Sequence, residues 1–286
     1  MEYSDVLRKL KADWERSAHL PLWPHRSPYA RITEMAGLAS DSSWQTLSDA
    51  SIGRAHRASG VADPTASEDV RLALKEMGRN STARQKQARG LTWEEIQVFL
   101  SIEPRNLRDI RDRALVAVAY DTMCRREELV SLKVEDLAEA ADGSGSILIR
   151  RSKTDTTGEG ATAYLSPLTV RLLNQWIKDA GVKEGAVFLR VVGTKVVGSA
   201  LTPQVVATVL QKVGKWIGLK KEEWEKISGH SARVGAAQDL LALNMDLSSV
   251  MQAGRWRDTR MPMRYGEKVL ASRGAMARAA KSQGRV

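Results

Sequence analysis

Between Arg79 and Arg89 the chain places Arg79, Arg84, Lys86 and Arg89 with no acidic residue among them. A run of like charge without apolar periodicity has no face to bury, so it reads as an exposed basic linker suited to lying along phosphates. It divides the 286 residues into a first part, 1–78, and a second, 93–286, joined by a linker at 79–92. Both parts must be held by packing alone. The single cysteine, Cys124, has no partner for an internal disulfide, and the four scattered histidines form no metal-spaced cluster with it. Hydrophobic residues make up 43%, ample material for buried cores.

Charge narrows the partners. Lysine and arginine outnumber the acids 44 to 34, a net charge of +10, which points to an acidic polymer such as DNA or RNA. No stretch approaches the roughly eighteen apolar residues a membrane helix needs, and the start, Met1-Glu2-Tyr3-Ser4-Asp5, lacks the order of a secretory signal. The expectation is a cytoplasmic, nucleoid-associated protein.

In the first part, Leu20 to Pro28 contains three prolines that forbid a continuous helix, so short helices are expected. The segment from Ser48 to Ser59 clusters Arg54, His56 and Arg57 on a basic face, and Asp63-Pro64-Thr65 opens a further helix with Thr65 or Ser67 as cap. In the second part, Thr92 and Glu95 form a capping box at a helix start, and Asp109 to Tyr120 holds an apolar run behind a charged beginning, as in a helix buried on most sides. Ile147 to Arg150 and Ala161 to Leu165 read as two short strands joined by a polar turn, after which the chain is mainly helical. The fold class is mainly α with a small antiparallel sheet.

Four segments of the second part hold residue types suited to gripping and attacking a phosphodiester. Arg125 and Glu128 stand three apart, so on a helix the carboxylate can orient a guanidinium that grips two phosphate oxygens; alone, such a pair is more often a surface ion pair. Lys153, in the turn after the first strand, is ordinarily solvated charge but can donate a proton to a leaving oxygen. In Gly229-His230-Ser231-Ala232-Arg233 a small cap precedes a helix whose first turn presents His230 and Arg233 together, at an end that favours anions. Gly254-Arg255-Trp256 is followed by Tyr265, nine residues after Trp256; Tyr265 offers a nucleophilic hydroxyl and Trp256 an indole donor, although an aromatic pair in a core would look the same. Met251, Met261 and Met263 fit that core reading.

In this order the segments resemble the tyrosine recombinase, or phage integrase, family. Gly229 to Ala237 and Val250 to Gly254 are most similar to its Cre-like branch. The resemblance runs from about Leu91 to Ala280, and more loosely over Leu47 to Gly90. It implies a helical core-binding domain, shortened or divergent, ahead of a tyrosine recombinase catalytic domain. It implies that Arg125 and Arg233 bind the scissile phosphate, that Glu128 supports Arg125 and that Tyr265 attacks to give a 3′-phosphotyrosine. His230 then assists proton transfer, Lys153 protonates the leaving 5′-oxygen and Trp256 donates to a phosphate oxygen. No metal or cofactor is required. The implied partner is double-stranded DNA, bound by a homotetramer on two synapsed sites from a monomer or weak oligomer. Arg54, Arg57, Arg84, Lys86 and Arg151 are candidate DNA contacts.

Residues 1–44 match the family pattern poorly, His19 to Pro28 least of all. Two alternatives therefore stand beside a site-specific recombinase: a catalytically impaired DNA-binding remnant, and a type IB topoisomerase-like strand relaxer. The segment from Lys268 to Ala280 reads as a short small-residue helix with a thin stripe of Leu270, Met276, Ala277 and Ala280.

Overall fold

The computed structural model describes residues 53, 57, 60, 62–80, 87–151 and 158–285. The chain divides into two compact units, residues 1–85 and 86–286.

Within the first unit, a single 3-10 turn over Pro64–Ala66 leads into helix α1, Glu68–Asn80. Asp63 caps the turn, accepting from the Thr65 backbone N–H at 2.9 Å, and Ser67 Oγ accepts from the Val70 N–H at 3.4 Å in the first turn of α1. Of the two expected caps, Ser67 serves and Thr65 donates instead. Most of the expected helix from Ser48 to Ser59 lies outside the described residues.

The second unit opens with α2, Trp93–Ser101, started by the expected reciprocal box: Thr92 Oγ1 accepts from Glu95 N–H at 3.4 Å, and Glu95 Oε2 accepts from Thr92 N–H at 3.2 Å. Such a cap stabilises a helix by about 1 kcal/mol. Next, α3, Leu107–Thr122, is the central helix, with Ala114 to Ala119 all buried. Its charged beginning is buried too. Lys212 Nζ lies 2.6 Å from Asp109 and 3.0 Å from Asp112, and Arg111 Nη2 lies 2.6 Å from Asp112, so each buried charge has a partner.

A short helix α4, Arg126–Val130, and a 3-10 turn, Val134–Asp136, lead to a three-stranded antiparallel sheet of β1, Leu137–Glu139, β2, Gly145–Ile149, and β3, Ala161–Leu165, in that order. Ile147 faces Ala163 across the β2–β3 register; Ile147, Ile149, Ala163 and Leu165 are buried whereas Leu148 and Tyr164 are exposed, the alternation of a sheet with one core face. The two expected strands are present; β1 is additional. Helix α5, Pro167–Ala180, packs along α3 and buries Trp176, whose indole N–H donates to the Val187 carbonyl at 2.8 Å.

The stretch after Pro167 is not helical throughout. A hairpin of β4, Leu189–Val192, and β5, Lys195–Ala200, turns at Gly193. Then follow α6, Pro203–Trp216, α7, Lys221–Trp224, α8, Ser231–Ala242, α9, Leu247–Gly254, α10, Arg260–Arg273, and α11, Ala275–Ser282. The single C-terminal helix expected over Lys268 to Ala280 is broken at Gly274 into α10 and α11, and Met276 is 72% exposed. Among the described residues no helix is long and apolar enough to cross a membrane.

Helix α8 lies between α3 and α10, and Gly235 sets its position. A Cβ there would stand 1.7 Å from the Leu91 carbonyl oxygen, so only glycine lets the helix approach the 89–92 segment. That segment is tied down: Arg89 N–H donates to the Lys226 carbonyl, Leu91 N–H to the Ser231 carbonyl, and the Arg89 guanidinium pairs with Glu95 at 2.5 Å. Arg89 is therefore not an open phosphate contact, as its place in a basic run suggests.

Candidate active site

Helix α3 ends in a left-handed residue, Met123 (φ 50°), which turns the chain sharply so that Cys124 and Arg125 lead directly into α4. Arg125 occupies the N-cap position and Glu128 the third helical position. The pair interlocks end-on: Glu128 Oε2 accepts from the Arg125 backbone N–H at 3.0 Å, and Glu128 Oε1 accepts from Arg125 Nη1 at 2.6 Å. The expectation of two side chains sharing a helix face is met by a cap that fixes backbone and guanidinium together. Glu128 is 3% exposed. Burial alone would raise its pKa, but the Arg125 N–H, the Arg125 guanidinium and the Arg255 charge outweigh it and hold the carboxyl below its ordinary value.

Arg233, in the first turn of α8, is buried and donates to the carbonyls of Met123 and Gly254. Its guanidinium carbon lies 4.3 Å from the Trp256 ring centroid. Burial first, then the Arg125 and Arg255 charges, push its pKa down to about 10, so it remains a cation at neutral pH. Trp256 presents its ring edgewise to Tyr265, centroids 5.9 Å apart. The two aromatics do pack together, and Trp256 in turn lies against a buried arginine. Met263, expected with them in the core, is 49% exposed; Met123 is the buried methionine here.

The N-cap position of α8 falls on His230 itself, without a side-chain capping bond; Ser231 Oγ accepts from the Ser228 N–H at 2.9 Å and shapes the turn. His230 is exposed, and its imidazole is held below the usual pKa by the desolvation it does undergo and by the Arg233, Arg126 and Arg125 charges. Tyr265, on α10, is shifted upward by burial, opposed by Arg233, Arg125 and Arg264. Its carbonyl oxygen accepts from Gln238 Nε2 of α8 at 3.0 Å and from Gln87 Nε2 at 3.5 Å.

The structure thus brings Arg125, Glu128, His230, Arg233, Trp256 and Tyr265 into one site. Lys153, Arg54, Arg84 and Lys86 lie outside the described residues. Arg57 pairs with Asp63, and Arg151 is exposed where β2 ends. One residue of the site was not anticipated. Arg255, read only as part of Gly-Arg-Trp, reaches Glu128 Oε2 at 3.0 Å. Two guanidiniums then pair with one buried carboxylate while Arg233 feels its charge from nearby, an excess of two positive charges. That excess is equal and opposite to the two negative charges of a phosphodiester undergoing attack by an oxyanion.

The sequence of residues 89–269, well over half of the chain, matches the model of the phage integrase family. The chain belongs to that family. Its members, the tyrosine recombinases, cleave and rejoin DNA strands. The chain is 29% identical to the recombinase Cre of Escherichia phage P1 over 266 residues, covering 87% of this chain and 77% of Cre. It is 27% identical to an integrase/recombinase XerD homologue of Selenomonas ruminantium, covering 85% and 74%. Among solved structures, the XerH site-specific recombinase bound to a palindromic difH substrate in a post-cleavage complex superposes with a TM-score of 0.54 at 23% identity. That match covers 72% of this chain and 55% of XerH, so the tyrosine recombinase fold is shared while the chain spans little more than half the length of that neighbour.

Proposed function

We propose that this protein is a site-specific DNA recombinase that breaks and rejoins strands through a 3′-phosphotyrosine at Tyr265, working as a homotetramer on two synapsed duplexes. The observation that carries the reading is the doubly positive excess of Arg125, Arg233 and Arg255 over Glu128 beside the Tyr265 ring. Arg125 and Arg233 would hold the non-bridging oxygens, Glu128 would keep Arg125 aimed, and Trp256 would donate to a phosphate oxygen.

Tyr265 attacks phosphorus while the bond to the 5′-oxygen breaks; His230 takes up the tyrosine proton and Lys153 supplies one to the leaving oxygen. The phosphotyrosine keeps the energy of the ester, so a 5′-hydroxyl from the other duplex reverses the step without ATP. The reaction needs no metal or cofactor. Residues 1–78 would form the partner half of a DNA grip, the linker at 79–92 would join it to the catalytic domain, and Arg54, Arg57, Arg84, Lys86 and Arg151 would meet phosphates, adding to a binding that weakens steeply with salt. The protein would act in the cytoplasm on nucleoid or mobile-element DNA.

The test is strand exchange between two plasmids that each carry the DNA flanking the gene for this protein. Recombinant products from both plasmids are expected. Relaxation of each plasmid without exchange would replace the proposal with a topoisomerase-like activity, and binding without either product would make the chain a non-catalytic remnant.

A further inference from the structure

The tripeptide Gly254-Arg255-Trp256 makes three separate contacts in the site, and the middle one does more than add a charge. The Gly254 carbonyl accepts from Arg233, and the Trp256 ring lies against Arg233 and Tyr265. Between them Arg255 closes α9 in the left-handed region, φ 54° and ψ 45°. Glycine adopts that conformation without strain and arginine does not. The residue is explained by where the turn sends its side chain. It is 12% exposed, too enclosed to be a solvated charge, and Nη1 donates to the Thr122 carbonyl at 2.8 Å, Nη2 to the Met123 carbonyl at 3.4 Å and to Glu128 Oε2 at 3.0 Å.

Two of these three acceptors, the Met123 carbonyl and Glu128, are ones that Arg233 and Arg125 also use. Glu128 Oε2 is shared between the Arg125 N–H and Arg255, leaving Oε1 for the Arg125 guanidinium, and the Met123 carbonyl is shared between Arg233 and Arg255. We propose that Arg255 is a positioning residue, whose guanidinium locks the Glu128 carboxylate and the turn at Met123 and thereby aims both Arg125 and Arg233. Without it, Glu128 keeps its burial but loses one of the cations that offset that burial, and the carboxylate is free to rotate away from Arg125. The consequence for cleavage rests on the recombinase reading; the hold on Glu128 does not.

Arg255→Gly removes the side chain while relieving the backbone, and Arg255→Lys keeps a charge but not the fork, giving a second variant should the first fold poorly. Two measurements are made on the full chain. The first is the Glu128 carboxyl 13C titration, assigned with Glu128→Gln: the midpoint is expected to move upward in Arg255→Gly and less in Arg255→Lys. The second is single-turnover adduct formation on nicked duplexes from the flanking DNA, at saturating protein, expected to fall about 10²-fold in Arg255→Gly, as for a misaimed reactive group, and to recover in part with lysine.

An unshifted Glu128 midpoint overturns the proposal whether or not any adduct forms. So does an equal adduct rate in Arg255→Gly and the unaltered protein. Absence of adduct from the unaltered protein on every substrate counts instead against the recombinase reading, while the titration still decides the role of Arg255.

Discussion

The Arg233 guanidinium lies 4.3 Å from the centroid of the Trp256 ring, so one side chain is both a floor for a buried cation and a neighbour of Tyr265. Phenylalanine at position 256 would preserve the floor but not the indole donor; alanine would remove both and leave a void. Trp256→Phe is expected to cut the rate of adduct formation about tenfold at nearly unchanged Tm, from the loss of one phosphate donor. Trp256→Ala is expected to lower the rate further and to destabilise by about 3 kcal/mol, read by thermal denaturation.

In the proposed mechanism His230 supplies the acid limb of the pH profile. Its pKa is held below 6.5 by partial desolvation and by neighbouring arginines, so the neutral, proton-accepting form persists through neutral pH. Adduct formation is expected to fall only as pH drops below 6.5, and the limb should vanish in His230→Gln. The sign for stability is the same: in that range the unfolded chain binds the proton more readily, so the folded state loses stability as pH falls. A limb above 6.5 would contradict the assignment.

Gln238 joins α8 to the carbonyl of Tyr265. Removing it in Gln238→Ala takes away one hydrogen bond worth about 1 kcal/mol and loosens the turn that presents Tyr265, the proposed nucleophile. The expected result is a several-fold slower adduct step with unchanged DNA affinity, together with faster amide exchange in α10.

The Gly235→Ala substitution forces a Cβ against the Leu91 backbone. Backbone cannot rotate aside as a side chain can, so destabilisation of about 2 kcal/mol or more is expected in chemical denaturation. Stability equal to that of the unaltered chain would mean that α8 and the 89–92 segment are not in contact.

Much of this arrangement is legible from local chemistry. The Thr92–Glu95 box, the alternation of Ile147 and Ile149, and the apolar run of α3 each state their structure within a few residues. The Arg125–Glu128 spacing announces a pair but not its kind, because whether it lies along a helix or caps one depends on the left-handed Met123 just before it. Strand β1 is three residues long and exists only by pairing with β2, so it has no periodicity to read. The β4–β5 hairpin does carry a signal, valine pairs on either side of Gly193-Thr194, which the helical pattern around it obscures. Charge misleads most. Arg111, Asp112 and Arg255 look solvated in sequence, yet Arg111 and Asp112 pair within the core and Arg255 meets Glu128 at long range, where only the fold brings it.

Covalent capture at Tyr265 tests the central claim most directly. Purified protein is incubated with nicked or phosphorothiolate-bridged duplexes from the flanking DNA and separated on a denaturing gel beside Tyr265→Phe. A slowed protein–DNA band present only with tyrosine at 265 is the predicted result. DNA binding with no such band on any duplex, or a band that persists in Tyr265→Phe, would contradict it.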